Sequence, residues 1–268
     1  MIVRKHLIQA VFMFCLPVLV VGLAQCGLNV YAPSYDAKMG ADLDKQIRAN
    51  SKEYPILNDT YVRDYVQNIA NQLTNSPAIK YRGTFPYKVE IINDPKTLNA
   101  FCTPGGYIYV YTGIIKALDN EASLAAVMGH EIAHAERRHA TQRMTKAMGA
   151  TLMLDLALGK NPDKTVEIAG NLFTGLALLK NSRDDEAESD EYSFKYMQSS
   201  KWYPGALGYF FEKVKGNGGG SIERLLSTHP LPQDRIDANA ARVRSSNLPP
   251  PTESNLFARN YQELKSRL

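Results

Sequence analysis

Hydrophobic positions change period several times along the chain, and each change marks an element. From Ala41 to Leu73 apolar residues recur at helical spacing (Leu43 and Ile47, then Val62, Val66, Ile69 and Leu73) around a break at Pro55, which predicts two helices. Tyr87 to Ile92 and Tyr107 to Tyr111 alternate, are rich in β-formers and are bounded by Pro, Gly and Asn-Asp, which predicts two strands of a small sheet. Ala122 to Met148 is a run of strong helix formers with Glu121 at its start and only Gly129 to interrupt it, so one long helix is expected. Residues 147 to 180 are apolar but broken by Asp155, Lys160, Asp163, Lys164 and Glu167 into pieces shorter than a membrane span; they read as core helices, with a membrane-touching hairpin as the alternative. Helices from Asp184 to Gln198, from Pro204 to Lys215 and after Pro232 follow, with a glycine-rich loop at 216 to 220. Pro249-Pro250-Pro251 then separates a short amphipathic helix whose Leu256, Phe257, Tyr261 and Leu264 are suited to dock on the body. Helices outnumber strands and no internal repeat is present, so the expected fold is α+β, mainly helical with a small sheet.

The N-terminus departs from these patterns. Arg4 and Lys5 precede an uncharged apolar stretch from Ala10 to Ala24, and no acidic residue occurs before Asp36, as in an export signal over residues 1–25. Pro17 and the shortness of the stretch, against the ~20 apolar residues of a spanning helix, argue for cleavage rather than retention as an anchor. Two ends remain open: Gly22-Leu23-Ala24 fits ordinary signal peptidase, and Leu23-Ala24-Gln25-Cys26 resembles a lipobox whose Cys26 would carry lipid. Without lipid, a Cys26–Cys102 disulfide is open in an oxidising compartment; with it, Cys102 is a small buried hydrophobe. The expected organisation is a signal, a linker at 26–40, one main domain at 41–244 and a Pro-rich linker with a helix at 245–268.

Composition narrows the class only slightly. The 268 residues are 44% hydrophobic and 22% charged, enough for one substantial core, and the formal charge of +4 is spread without a basic block, which argues against a nucleic-acid partner.

The chemistry is concentrated in His130-Glu131-Ile132-Ala133-His134. At about 100° per residue the two histidines lie about 40° apart on one helical face, close enough to share a metal at Zn–N distances of about 2.0–2.1 Å. Glu131 sits beside that face, where its carboxylate can take a proton from the attacking water. A catalytic site needs a third ligand. His139 does not supply it, because the three-His pattern requires Gly three residues and His six residues after His134, and those positions hold Arg137 and Ala140; a surface or supporting role is expected for His139. Ser182-Arg183-Asp184-Asp185-Glu186-Ala187-Glu188-Ser189-Asp190 is the better source. Glu186 and Asp190 are one helical turn apart, so Glu186 can bind the metal while Asp190 accepts a hydrogen bond from a ligand imidazole. The bland reading is a solvated acidic helix start.

These two motifs, with Asn99-Ala100-Phe101-Cys102-Thr103-Pro104-Gly105-Gly106, Ser227-Thr228-His229-Pro230 and Arg235-Ile236, resemble the gluzincin family of CAAX-prenyl-protease-like and HtpX-like metallopeptidases over roughly residues 41 to 244. The soluble periplasmic branch, of the BepA and LoiP kind, is the nearer, and the absence of C-terminal helical repeats favours the single-domain form. The resemblance implies a zincin-type domain with one Zn²⁺ held by His130, His134 and Glu186, Glu131 as general base and Asp190 behind a ligand. It also implies an endopeptidase of the bacterial periplasm, acting on unfolded or misfolded envelope proteins in quality control, with Cys26 as a conditional membrane anchor. Cys102, where the family more often has a small apolar residue, and Ser189, where Ala is usual, are departures that touch no ligand.

Two readings stay open. Tyr107 to Tyr111 is either an edge strand on which an extended substrate pairs or an ordinary core strand. His229 is a catalytic stabiliser of the oxyanion, an occupant of the open metal position in a resting state, or a structural turn. Against the enzyme stand two other classes: a periplasmic holdase, against which the intact Glu131 argues, and a structural zinc protein, against which an open-sided ligand set argues.

Overall fold

The computed structural model describes residues 29–147, 181–216 and 222–268. The expected signal, Cys26 and its lipid or disulfide, the apolar stretch to residue 180 and most of the glycine-rich loop lie outside the described residues. Among those described, no helix is long and apolar enough to cross a membrane. They divide into two compact units, one built from 33–138 and 178–268 and the other from the segments before 33 and after 138.

The larger unit is α+β and mainly helical. It opens with α1 (Pro33–Ala49) and α2 (Thr60–Leu73). Helix α1 begins at Pro33, so residues 33–40 of the expected linker are helical. Asp59 caps α2 by accepting from the Val62 N–H, and the predicted stripe of Val62, Val66, Ile69 and Leu73 is fully buried.

Three strands follow, β1 (Lys88–Ile92), β2 (Ala100–Thr103) and β3 (Tyr107–Tyr111), in the order β1-β3-β2. β3 pairs parallel with β1, Lys88 opposite Tyr107, and antiparallel with β2, Ala100 opposite Val110. Tyr107 to Tyr111 is therefore the central strand and not an edge: alternation identifies a strand, whereas its place in the sheet depends on which neighbours return to pair with it. The period-2 alternation splits two cores. Ile108 and Val110 face the main helical core, while Tyr109 and Tyr111 lie with Ile92 on the other face, where Phe101 stacks on Tyr109 with ring centroids 4.8 Å apart. Tyr109 donates to Asp44 of α1 at 2.7 Å.

The turn between β2 and β3 needs glycine for a tertiary reason. Gly105 has φ +76°, and a Cβ there would come within 2.7 Å of the Ala37 Cα, so α1 lies backbone-close on this turn.

After the short α3 (Thr112–Ala117) comes α4 (Glu121–Glu136), every residue of which is buried. The single helix expected through Met148 is two: the chain turns left-handed at Arg138 (φ +58°) before α5 (His139–Ala147). No Gly or Pro marks that break. Arg138 is instead held by its buried guanidinium, which donates to Asp36 at 2.5 and 3.1 Å.

The chain then supplies α6 (Arg183–Gln198), a short 3-10 turn at Pro204–Ala206, α7 (Leu207–Gly216), α8 (Glu223–Thr228) and α9 (Gln233–Ser245). It ends in α10 (Glu253–Leu256) and α11 (Ala258–Lys265). The tail after the prolines is core rather than appendage: Tyr261 and Leu264 are fully buried, and the Tyr261 hydroxyl donates to the Ile115 carbonyl at 2.7 Å.

In the smaller unit Asn29 donates to the Thr141 hydroxyl of α5 at 2.7 Å. His139 is buried at 1% exposure, so of the surface or supporting position expected for it the surface one is excluded.

Candidate metal centre

Helix α4 carries the first donors. His130 and His134 are four residues apart, and their Nε2 atoms stand 3.0 Å from each other. The second element is α6, whose start is specified locally: Ser182 and Asp185 form a capping box, and Asp184, Asp185 and Glu186 complement the positive end of the helix dipole. What brings α6 against α4 is Gly129. A Cβ there would lie 2.8 Å from the Ser193 hydroxyl, which donates to the Ala126 carbonyl at 2.7 Å, so the helices approach as closely as a missing side chain allows.

That approach sets Glu186, with no solvent exposure, against both histidines: Oε1 is 3.2 Å from His134 Nε2 and Oε2 is 3.5 Å from His130 Nε2. One turn later Asp190 Oδ1 lies 2.9 Å from His130 Nδ1. A carboxylate only accepts, so Nδ1 carries a proton and Nε2 is the ring nitrogen left to face the cluster.

His229 completes the cluster. It caps α8, its N–H donating to the Leu225 carbonyl at 2.7 Å, and its Nδ1 lies 3.0 Å from Glu186 Oε1 and 3.4 Å from His130 Nε2. The ligand atoms of His130, His134, Glu186 and His229 all lie within 4.8 Å of one another.

The donor set fits a small divalent cation. Ligands at about 2.0–2.1 Å around a tetrahedral ion sit about 3.3 Å apart. The separations here are 3.0 to 3.5 Å for His130–His134, His130–Glu186, His134–Glu186, His130–His229 and Glu186–His229. Electrostatics agree with the geometry. Burial lowers the His130 pKa, but Glu186 and Asp190 outweigh it and push it up to about 10, so the surroundings favour positive charge where the donors converge. Burial alone would raise Glu186, yet His229 and His130 hold it far below the ordinary carboxyl value.

Glu131 faces the opposite demand. Burial pushes its carboxyl up, opposed by His229 and His130 and by a hydrogen bond from the backbone of Cys102. That bond ties Glu131 to β2, the strand packed beside α4 and the outer neighbour of β3. His229 Nε2 is 3.7 Å from Glu131 Oε1.

Two residues of the centre carry roles that sequence reasoning missed. Arg235 Nε and Nη2 donate to the two oxygens of Asp190 at 2.7 and 2.6 Å, while Nη1 donates to Glu186 Oε2 at 2.5 Å and to the Pro230 carbonyl at 2.7 Å. One guanidinium thus holds the Glu186 carboxylate, the Asp190 carboxylate beside His130 and the turn after His229. A signal existed: an arginine in the first turn of α9 opposes the helix dipole and requires compensation from elsewhere. Asn181 Nδ2 donates to Glu186 Oε1 at 2.7 Å and lies 3.3 Å from His229 Nδ1, which no local pattern announces.

Replacing Arg235 by Leu should weaken metal binding about 10–100-fold, measured by competition with a chelating dye, because it frees both carboxylates. Lysine should fail to restore it, since one ammonium cannot reproduce a fork onto Asp190 and a third arm onto Glu186. An unchanged affinity in both variants would sink that role.

A family model described as peptidase family M48 matches residues 58–243. The chain is similar to the beta-barrel assembly-enhancing protease of Escherichia coli (strain K12), 27% identical over 227 residues that cover 80% of this chain and 45% of that protein. It is also similar to the mitochondrial metalloendopeptidase OMA1 of Arabidopsis thaliana, 31% identical over 186 residues (69% of this chain, 37% of that protein). OMA1 of Schizosaccharomyces pombe is 27% identical over 212 residues (78% and 61%). The matched span is thus less than two thirds of the length of each of these relatives.

Proposed function

The chain belongs to peptidase family M48, and from that premise we propose that it is a zinc-dependent endopeptidase that cuts internal bonds of unfolded or misfolded cell-envelope proteins. The observation that carries the reading is the convergence of three nitrogens and one carboxylate on a single point, with a buried carboxyl, Glu131, immediately beside it. His130, His134 and Glu186 would hold the zinc ion, which supplies a Lewis acid for a peptide carbonyl and for water.

The remaining work falls to the chain itself. Glu131, raised by burial, takes the proton of the attacking water on its carboxylate and passes it to the leaving amine. Asp190 and Arg235 hold His130 and Glu186 in orientation. An extended substrate would lie along β2, the outer strand beside Glu131, because main-chain pairing there is open to any sequence but closed to folded protein.

His229 is assigned the fourth position in a resting state, since its Nδ1 stands at ligand separations from His130 and Glu186. The competing role, stabilising the oxyanion, would need a hydrogen-bond donor directed at substrate rather than an atom inside the donor set. A cellular setting in the bacterial periplasm, with residues 1–25 as export signal and Cys26 either lipid-bearing or paired with Cys102, belongs to the same proposal; the Escherichia coli relative's name, a beta-barrel assembly-enhancing protease, supports it.

The test is cleavage of an unfolded model protein by the purified chain, with and without a chelator, beside a His229→Ala variant. Cleavage that the chelator stops and zinc restores supports the reading; chelator-resistant cleavage removes it. His229→Ala should cut several-fold faster if His229 closes the fourth position, and slower by about 10²-fold if it stabilises the oxyanion.

A further inference from the structure

Asn181 stands immediately before Ser182, the cap of α6. Its backbone N–H donates to the Thr228 carbonyl at 3.0 Å, so the start of α6 is tied to the residue that precedes His229. The side chain enters the donor cluster: Nδ2 lies 2.7 Å from Glu186 Oε1, 3.3 Å from His229 Nδ1 and 3.5 Å from His134 Nε2. A carboxylate only accepts, so the atom against Glu186 is the amide nitrogen and not the amide oxygen. That nitrogen carries two N–H groups. One serves Glu186, and the second is within reach of the atom that His229 places in the fourth position.

Peptide hydrolysis passes through a tetrahedral adduct whose charge needs a donor. As the water oxygen bonds to the carbonyl carbon, its proton goes to Glu131 and the carbonyl π pair moves onto the oxygen. On collapse that pair re-forms the carbonyl, the C–N bond breaks and the amine takes the proton from Glu131. A donor fixed beforehand at about 2.7–3.1 Å from that oxygen stabilises the charge more than it stabilises the neutral carbonyl. Asp190 and Arg235 are committed to His130 and Glu186, and Glu131 is the base. An oxygen that replaces His229 Nδ1 arrives at a point 3.3 Å from Asn181 Nδ2, close to donor distance. An amide suits the place for a second reason: it donates without a positive charge, so it does not oppose a divalent cation held by the neighbouring ligands, as a lysine would.

We propose that Asn181 is a catalytic residue whose side-chain amide donates to the oxygen that becomes negative in the tetrahedral adduct, at the position His229 vacates. The inference rests on the zinc endopeptidase reading and deepens it. Glu186 holds the amide by one N–H and Thr228 holds the backbone, so the donor is ordered before the charge develops.

The experiment uses the purified full chain with one zinc ion per chain, confirmed by elemental analysis, beside Asn181→Leu, which keeps the volume and removes the donor, and Asn181→Ala. Asn181 is half-buried and outside the helix, so both variants should fold. Three quantities are read. The first is kcat and KM on a quenched fluorescent peptide chosen by mapping the products of a denatured protein. The second is the inhibition constant of the matching phosphinate peptide, whose charged tetrahedral phosphorus imitates the adduct. The third is zinc affinity, by competition with a chelating dye. In both variants kcat should fall about 10²–10³-fold with KM changed by less than about threefold. Phosphinate affinity should fall by about the same factor as kcat. Zinc affinity that falls while kcat and phosphinate affinity of the zinc-saturated variants stay at wild-type values overturns the proposal and leaves Asn181 a support of Glu186. A fall in kcat with phosphinate affinity unchanged, or no change in any of the three, overturns it as well and leaves the peptidase intact. A wild type that neither cleaves the denatured protein nor binds the phosphinate defeats the peptidase reading and the assignment together.

Discussion

Exchanging Glu131 for Gln should lower kcat/KM on an unfolded protein substrate by about 10²–10⁴-fold while leaving one bound metal ion per chain, measured by elemental analysis of the same preparation. Gln has the shape of Glu and can still accept the hydrogen bond from the Cys102 backbone, so packing against β2 survives. What it loses is a group able to take a proton. The residue is 3% exposed and its carboxyl is raised by burial, which brings the base nearer to neutrality than a solvated glutamate. Retention of activity would remove the base from Glu131, and loss of the metal together with activity would move the residue into the ligand set.

The second large effect belongs to Glu186→Ala, which should abolish tight metal binding and lower unfolding stability by about 3–5 kcal/mol. The stability loss does not depend on metal alone. Glu186 has no solvent exposure and accepts from Arg235 and Asn181 while facing His130, His134 and His229. Its removal leaves a guanidinium that is 6% exposed with one carboxylate fewer, so the cost is that of a partly uncompensated buried charge. Urea unfolding with and without zinc separates the parts: zinc should stabilise the wild type and not the variant, and the variant should remain weaker when both are chelated. A variant that binds zinc as the wild type does would exclude Glu186 from the centre.

His130, Glu131 and His134 were legible because everything that matters in their arrangement is local: four residues on a helix bring two imidazoles to one face whatever surrounds them. The pair Glu186 and Asp190 was half legible. The turn spacing and the capping serine are in the sequence, but pairing that helix with the histidine helix needed the family resemblance. For His229 and Arg235, residue type and motif were visible but the contacts were not. His229 ends the short helix α8 and Arg235 lies in the first turn of α9, and their meeting depends on packing around Leu225 and Phe211. The strand β2 escaped notice because its four residues, buried at both ends and half-buried between, show no alternation, and the end of α4 escaped because an arginine turns left-handed there for a tertiary contact with Asp36.

By itself the sequence determined the period of each element, the composition of the helical and β-rich segments, and the two-histidine face with its adjacent carboxylate, since these follow from backbone repeat and side-chain type over a few residues. Only the tertiary structure decided that β3 is central, that the tail is core, and that the donors of α4, α6 and the α8 turn meet at separations near 3 Å. Such meetings depend on how closely helices can pack, here on the missing Cβ of Gly129 against Ser193, and a distance between segments far apart in the chain is a property of the packed core rather than of any window of residues.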